Sequence, residues 1–232
     1  MTRRRWLADE VSGAQAALTG ENAAHLARVL RAKVGQEFDI STGGSVRRGK
    51  ITAVAPERVE FELLEEVAAA PEVPIELLLA VFKFDRLEWA IEKATELGAA
   101  RIVPVIAQRT EKHLAQASGK RVERWRKLAH EAAQQSRRVT PPQIEEPLKL
   151  KEALGAGGIV LSEAEGERSL KDALRTAHRP VRLAIGPEGG WTAEELLLFE
   201  QRSWQPVSLG VRILRAETAA IAALAIAAAE LA

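Results

Sequence analysis

Hydrophobic and polar positions alternate with two different periods along the chain, and the change of period divides it. Between residues 36 and 66 the period is two: Val59, Phe61 and Leu63 fall on one side and Glu60 and Glu62 on the other. That is the pattern of a half-buried strand. Gly43-Gly44 stands where a hairpin turn belongs. Ahead of these strands, His25 to Lys33 reads as a short helix with Leu26, Val29 and Leu30 on one face. The N-terminal part is therefore predicted to be a small β-rich domain carrying one helix. Ala68 to Pro74 holds two prolines and no periodicity, which marks a linker. The domain boundary is placed there, with residues 1–70 on one side and 71–232 on the other.

Beyond the linker, strand-length apolar runs alternate with helical spacing. Glu76–Val81 and Arg101–Ile106 read as strands, and between them Leu87, Ala90, Ile91, Ala94 and Leu97 recur as on one helix face. Gly98 then stands as a C-cap. A long amphipathic segment covers about 120–137. After it come a strand at Gly158–Leu161, a short helix, a strand at Val181–Ile185, another helix, a strand at Pro206–Leu209, and a last helix from Glu217. Such alternation predicts an α/β fold, a parallel sheet with helices on its faces. Residues 217–232 are nearly all Ala, Ile and Leu. The run is too short and too charged at Glu217 and Glu230 to span a bilayer. A helix apolar all round is usually buried, so a core or dimer-interface place is expected.

Composition narrows the function classes. The 232 residues suit one large domain or two modest ones, and 47% hydrophobic residues are enough for a proper core. No cysteine is present, which excludes disulfides and thiolate metal sites; no metal site is expected. The opening Met-Thr-Arg-Arg-Arg-Trp lacks the apolar stretch of a secretory signal, so a cytoplasmic protein is expected. The net charge of +1, from 33 basic and 32 acidic residues, argues alone against a protein that coats nucleic acid. Distribution matters more than the total, because local patches supply phosphate contacts. The positives cluster at Arg3-Arg4-Arg5, at Arg28, Arg31 and Lys33, at Arg47, Arg48 and Lys50, and from Lys120 to Arg138. Any one cluster alone reads as a solvated surface; four clusters, three of them in the first fifty residues, are harder to dismiss.

Two segments stand where chemistry is expected. Ile185-Gly186-Pro187-Glu188-Gly189-Gly190-Trp191-Thr192 follows a predicted strand, and Thr192 with Glu195 forms a capping box that opens a helix. Glycines there permit positive φ and close approach of the backbone to a ligand of nucleotide type. The Gly-Lys-Ser/Thr ending of a phosphate loop is absent, and Gly-x-Gly-x-x-Gly is not matched. A tight strand-to-helix turn remains the plain alternative. The second segment, Ser208 to Thr218, again runs from a strand through a loop into a helix. Ligands in open α/β sheets bind beyond the carboxyl ends of the strands, so two such loops at one edge form a candidate pocket. Arg215 and Glu217 stand at its rim, or else form a charge pair on the surface of the helix start.

Gly-Pro-Glu-Gly-Gly-Trp at 186–191, followed by Leu-Gly-Val-Arg-Ile-Leu-Arg-Ala-Glu-Thr-Ala at 209–219, closely resembles the signature of the RsmE-type uracil-N3 methyltransferases of small-subunit (16S) ribosomal RNA, within the SPOUT superfamily. Three more blocks are similar to the family in the right order. They are His25-Leu26-Ala27-Arg28-Val29-Leu30-Arg31, then Lys83–Arg86 with Glu92–Gly98, and then Glu131–Arg138 followed by Pro141. The resemblance covers the whole chain, and five ordered blocks are far more specific than one. Trp191 departs from it, since family members more often carry Phe.

The resemblance implies a parallel-sheet α/β domain with a C-terminal trefoil knot and an N-terminal PUA-like β-barrel that binds RNA. It implies S-adenosyl-L-methionine held by Leu161, Ser162, Ile185, Gly186, Pro187, Glu188, Gly189, Leu209, Gly210, Ile213, Leu214 and Thr218. It points to Arg215 stabilising charge on the uracil and Glu188 accepting the N3 proton or orienting the ring, with a structural role for Glu188 of equal standing. Arg5, His25, Arg28, Arg31, Lys83, Arg86, Gln134 and Arg137 are the expected RNA contacts, with Glu96 and Glu131 as further candidates for the substrate face. The expected partners are 16S ribosomal RNA, in the assembled small subunit, and a second copy of the chain. Two other activities are compatible with the fold: a ribose 2′-O RNA methyltransferase, and a non-catalytic RNA-binding assembly factor.

Overall fold

The N-terminal alternation folds into a sheet that curls back on itself. The structure, a computed structural model, describes residues 5–69, 74–163 and 168–231. Arg3 and Arg4 of the first basic cluster, and residues 70–73 of the linker, lie outside the described residues. Two compact units form, one drawn from Met1–Pro71 and Ala133–Thr140, the other from Glu72–Ala132 and Pro141–Ala232. A division of the sequence at one point, 70/71, has no place for the return of 133–140 to the first unit.

In the first unit the strands are β1 (Arg5–Leu7), β2 (Glu10–Ser12), β3 (Gln15–Thr19), β4 (Glu37–Ser41), β5 (Val46–Ala55) and β6 (Arg58–Glu66). They pair in the order β1-β4-β5-β6-β3-β2. Only Ala8 and Asp9 separate β1 from β2, yet these strands end opposite sides of that order, so the sheet must curl. Ala8 N–H bonds to Ser41 O at 2.9 Å and Asp9 N–H to Ala17 O at 3.0 Å. Val59, Phe61 and Leu63 point into a core with Trp6, Leu18, Leu26, Ile40 and Ile51, while Glu60 and Glu62 face out. Gly43, at φ +84, turns the chain from β4 to β5, as its position predicts.

The N-terminal helix differs from its sequence pattern. Helix α1 (Gly20–Ala24) passes into a π-helical turn, His25–Val29. Leu30 N–H reaches back to His25 O and Ala32 N–H to Leu26 O, each at 3.1 Å. Bonding across five or more residues breaks the ordinary helical register. Leu26 is buried, but Val29 and Leu30 are 65% and 40% exposed, so the expected three-residue apolar face does not form. In the returning segment, the Ser41 hydroxyl donates to Val139 O and the Arg5 guanidinium to Arg137 O.

The second unit is a parallel sheet. Its elements are β7 (Ile75–Ala80), α2 (Phe84–Glu96), β8 (Ala99–Ile106), α3 (Lys112–Ser118), α4 (Val122–Gln135), β9 (Gln143–Ile144), β10 (Leu148–Lys149), α5 (Leu150–Ala153), β11 (Gly158–Leu161), α6 (Leu170–Leu174), β12 (Val181–Ile185), α7 (Ala193–Gln201), β13 (Trp204–Val207) and α8 (Ala216–Leu231). The order is β10-β8-β7-β12-β11-β13, with β9 beside β8, and every described pair is parallel. Leu77 and Leu79 enter the core on one face and Leu78 and Ala80 the core on the other. A strand covered on both faces reads as an unbroken apolar run, which is why 75–80 lacks alternation. Helix α2 buries Leu87, Ala90, Ile91 and Ala94, and Gly98 ends it at φ +95. Helix α8 buries Ala220, Ala223, Leu224 and Ala227 and packs on α2 and α6.

Strand β13 begins two residues before the predicted Pro206. Trp204 draws it in: a Cβ at Gly158 would stand 2.6 Å from that ring, and Trp204 Nε1 donates to Gly155 O at 2.9 Å. The strand ends at Val207, so Leu209 lies in the loop that follows.

Candidate active site

Because the strands are parallel, the segments after β7, β8, β11, β12 and β13 leave one edge, the carboxyl edge where such sheets bind ligands. A cavity of about 640 Å³ opens there, within the roughly 300–1,000 Å³ usual for small-molecule sites. Its walls take Leu161 and Ser162 from the end of β11, Ile185 to Trp191 after β12, and Val207 to Leu214 after β13. The residues singled out in the two glycine-bearing loops thus come together, Leu161, Ser162, Ile185, Gly186, Pro187, Glu188, Gly189, Leu209, Gly210, Ile213 and Leu214 among them. Thr218 is not part of the lining; it sits exposed on the first turn of α8.

The loop after β12 is built as its sequence predicts at its end and differently in its middle. Thr192 Oγ1 accepts from Glu195 N–H at 3.2 Å and Glu195 Oε2 from Thr192 N–H at 2.9 Å, completing the capping box. Gly190 N–H closes a turn onto Pro187 O at 2.8 Å, and Gly190 takes φ +68. Gly186 and Gly189 answer to protein neighbours. A Cβ at 186 would stand 3.2 Å from the Trp191 indole, and one at 189 would stand 3.2 Å from Arg109 Cδ. Trp191 keeps an aromatic packing role, edge-on to Phe199 with centroids 4.9 Å apart. In the second loop the Ser208 hydroxyl accepts from Gly210 N–H at 3.0 Å, and Gly210 has φ +111.

The charged groups at this edge pair in ways sequence reading did not find. Arg86, expected to meet RNA, donates through Nη1 to Glu188 Oε1 at 2.6 Å, and its Nε lies 3.8 Å from Glu217 Oε1. Glu217 is buried, its side chain 6% exposed, and its Oε2 has no partner; it is no surface charge. Arg215 is exposed at the start of α8, between the lining residues Leu214 and Ala216 and outside the lining itself. Gln108 and Arg109, in the segment after β8, were missed altogether. Gln108 N–H bonds to Glu195 Oε1 at 2.8 Å, and the Arg109 guanidinium donates to Gly189 O and, at 3.4 Å, to Trp191 O. Separations of 80 and more residues leave no local periodicity to reveal such pairs.

The basic clusters divide into spent and available charge. Arg47 donates to the Leu63 and Leu64 carbonyls and Arg48 to Asp39, so those two guanidiniums are structural, while Lys50 is exposed. In α4 and the turn before it, Arg121 and Arg124 bind Glu88 while Arg126 binds Glu123 and Glu146. The Glu88 carboxylate holds the Arg124 guanidinium more firmly charged than usual. Glu96 is likewise engaged: Lys93 Nζ lies 2.7 Å from both Glu92 and Glu96, which raise its pKa. Glu131 and Lys83 are exposed. In the first unit, Arg28, Arg31 and Arg137 are exposed and no ion pair is described for them, Gln134 Nε2 is buried without a partner, and the exposed His25 has its ring 6.0 Å from that of Trp6. Arg31 and Arg137 both hold left-handed backbone, at φ 50 and φ 58. No cluster of three or more metal-ligating side chains occurs among the described residues, and no described helix is long and apolar enough to cross a membrane.

Comparison with known proteins bears on the same two units. Residues 69–228 match the model of an RNA methyltransferase domain, and residues 18–64 match that of an RNA methyltransferase PUA domain. The chain is 36% identical over 228 residues to the ribosomal RNA small subunit methyltransferase E of Synechocystis sp., covering 94% of this chain and 74% of that one. A Legionella pneumophila protein solved in complex with the bound cofactor SAM superposes with a TM-score of 0.85 at 28% identity, covering 99% and 98% of the two chains. The ribosomal RNA small subunit methyltransferase E of Neisseria gonorrhoeae, solved bound to S-adenosyl methionine, superposes with a TM-score of 0.82 at 28% identity, covering 97% and 96%.

Proposed function

The chain belongs to the ribosomal RNA small subunit methyltransferase E family of RNA methyltransferases, and from that premise we propose that it methylates N3 of a uridine in 16S ribosomal RNA, using S-adenosylmethionine. The observation that carries the proposal is the cavity at the carboxyl edge, walled by both glycine-bearing loops and flanked by Glu188. Its residues fit the cofactor: Leu161, Ile185, Leu209 and Leu214 offer apolar surface for a flat base, and the main chain of 186–190 and 208–210 offers polar groups beside it.

When bound, S-adenosylmethionine supplies an electrophilic methyl group on a sulfonium. The chain's own task is alignment and proton handling. Transfer is an in-line displacement, so holding the reacting atoms roughly 3–3.5 Å apart supplies much of the acceleration. Uracil N3 bears a proton that must leave before it can attack. Glu188 is the proposed acceptor: it lines the cavity, and Arg86 holds one of its oxygens. Arg215 stabilises the charge that develops on the uracil oxygens. The Arg86 pair also supports a second role for Glu188, pinning the loop.

Residues 186–191 and 209–217 are proposed as the loops of a trefoil knot. The protein is proposed to act in the cytoplasm as a homodimer on the assembled small subunit. Val211 and Ile213, 99% and 79% exposed beside the cavity, support a covering partner. Arg5, His25, Arg28, Arg31, Lys83, Gln134 and Arg137 remain the proposed RNA contacts; phosphate gripping by such residues gives affinity and leaves sequence choice to other contacts.

Calorimetric titration with S-adenosylmethionine tests the cavity assignment. One ligand per chain is expected, with binding lost in Gly210→Val, because a β-branched residue at φ +111 is strained and must rebuild the loop. Full binding by that variant would remove the cavity from the account.

A further inference from the structure

Arg109 stands in the segment between β8 and α3, two strands away from the glycine loop, with β7 between them. Its side chain nevertheless lies across that loop. The guanidinium donates to the carbonyls of Gly189 and Trp191, and the aliphatic stem fills the space in which a side chain at 189 would stand. Gly189 and Gly190 carry no side chains of their own to fix their backbone, and glycine pairs have the largest conformational freedom in a chain. Two carbonyls two residues apart are held toward one nitrogen, Arg109 Nη1, at the end of a stem long enough to cross the loop. Next to it, Gln108 binds Glu195 through N–H and Glu194 through Nε2, at 2.8 and 2.9 Å, and accepts from the Thr192 hydroxyl at 3.1 Å. The segment after β8 therefore grips the glycine loop in its middle and at its entry into α7.

We propose, on the premise that the cavity holds S-adenosylmethionine, that Arg109 is a positioning residue: it imposes the curvature of Gly189–Trp191 and so pre-forms the cavity wall. Arg109 itself lines the cavity, so direct pairing with the carboxylate of the ligand's amino-acid arm is the competing role. The two roles separate by ligand. A pre-formed wall serves any adenosine carrying a 5′-sulfur substituent, thioether or sulfonium, whereas direct pairing serves only a ligand that carries the carboxylate.

The test measures the affinities of S-adenosylmethionine and 5′-methylthioadenosine, which lacks the amino and carboxyl groups, for wild type, Arg109→Lys and Arg109→Met. Both ligands are expected to weaken by a similar factor, roughly tenfold in the Met variant, since each must then order a two-glycine segment itself. The Lys variant should recover part of the loss for both. In turnover the loss should fall on the KM for S-adenosylmethionine far more than on kcat, because the wall holds the cofactor equally in the ground state and the transition state. Thermal unfolding of both variants checks that the exposed site leaves the fold intact. Weakening confined to S-adenosylmethionine would replace positioning by direct pairing. Unchanged affinity for both ligands would overturn any role for Arg109. Failure of wild type to bind either ligand would overturn the cavity assignment itself, and the proposal with it.

Discussion

Arg86 Nη1 and Glu188 Oε1 stand 2.6 Å apart although 102 residues separate them in the chain. The pair ties the start of α2 to the glycine loop, and the same guanidinium is the cation facing buried Glu217. The three groups differ in burial: the Arg86 and Glu188 side chains are 30% and 38% exposed, Glu217 only 6%.

That difference fixes the expected energetics. An ion pair as exposed as Arg86–Glu188 contributes about 0.2–1 kcal/mol after solvent screening. Stranding the buried Glu217 carboxylate is worse. Arg86→Gln should therefore cost roughly 1–3 kcal/mol more in the wild-type background than in a Glu217→Gln background. Denaturant unfolding of the four proteins in the cycle measures it. Equal costs in both backgrounds would show that Glu217 does not depend on Arg86.

Arg31 and Arg137 occupy left-handed backbone in which glycine is favoured. A side chain there costs about 1–2 kcal/mol, and residues kept under such strain are candidates for function. Arg31→Gly and Arg137→Gly should each raise stability by roughly 1 kcal/mol while weakening RNA binding. Each should also reduce the slope of log affinity against log salt by about 1. Ser203→Gly relieves the same strain, at φ 58, in a residue outside the proposed RNA contacts. It should raise stability and leave RNA binding alone. Arginine-to-glycine variants with unaltered salt slopes would take both residues off the list of phosphate contacts.

Arg215 and Glu188 separate binding from chemistry. Arg215 lies outside the cavity lining, so Arg215→Ala should leave S-adenosylmethionine affinity within about threefold while lowering kcat by roughly a hundredfold or more, as removal of a charge-stabilising group does. Glu188→Gln keeps the size of the side chain and an oxygen that can accept from Arg86 while removing the proton acceptor, so the larger part of its loss should fall on kcat. If Arg215→Ala instead abolished cofactor binding, Arg215 would belong to the binding site and its chemical role would fall; an unchanged kcat in Glu188→Gln would leave Glu188 only the loop-pinning role.

Elements with strong periodicity were legible in the sequence. Helix α2 was read from Leu87, Ala90, Ile91 and Ala94, and the capping box of α7 from Thr192 and Glu195. The glycine loop and the loop after β13 were found because their residues are contiguous. Strand β1 has three residues and β9 two, too few to show a period. The π-helical turn at His25–Val29 kept the composition of a helix and changed which side chains face the core. Arg109, Gln108 and Glu217 gained their roles through partners far along the chain, and their burial or exposure is a property of the sheet. The basic clusters misled in part, since a run of arginines does not say which guanidiniums Asp39, Glu88 or main-chain carbonyls already hold.

The measurement that bears most directly on the function is transfer of labelled methyl from S-adenosylmethionine to small ribosomal subunits that lack this modification, followed by digestion of the RNA to nucleosides. Label in 3-methyluridine is the expected result and identifies donor, acceptor and reaction together. Label in a ribose-methylated nucleoside would keep the fold and the cofactor and contradict base methylation. Tight subunit binding with no label would make the protein an assembly factor.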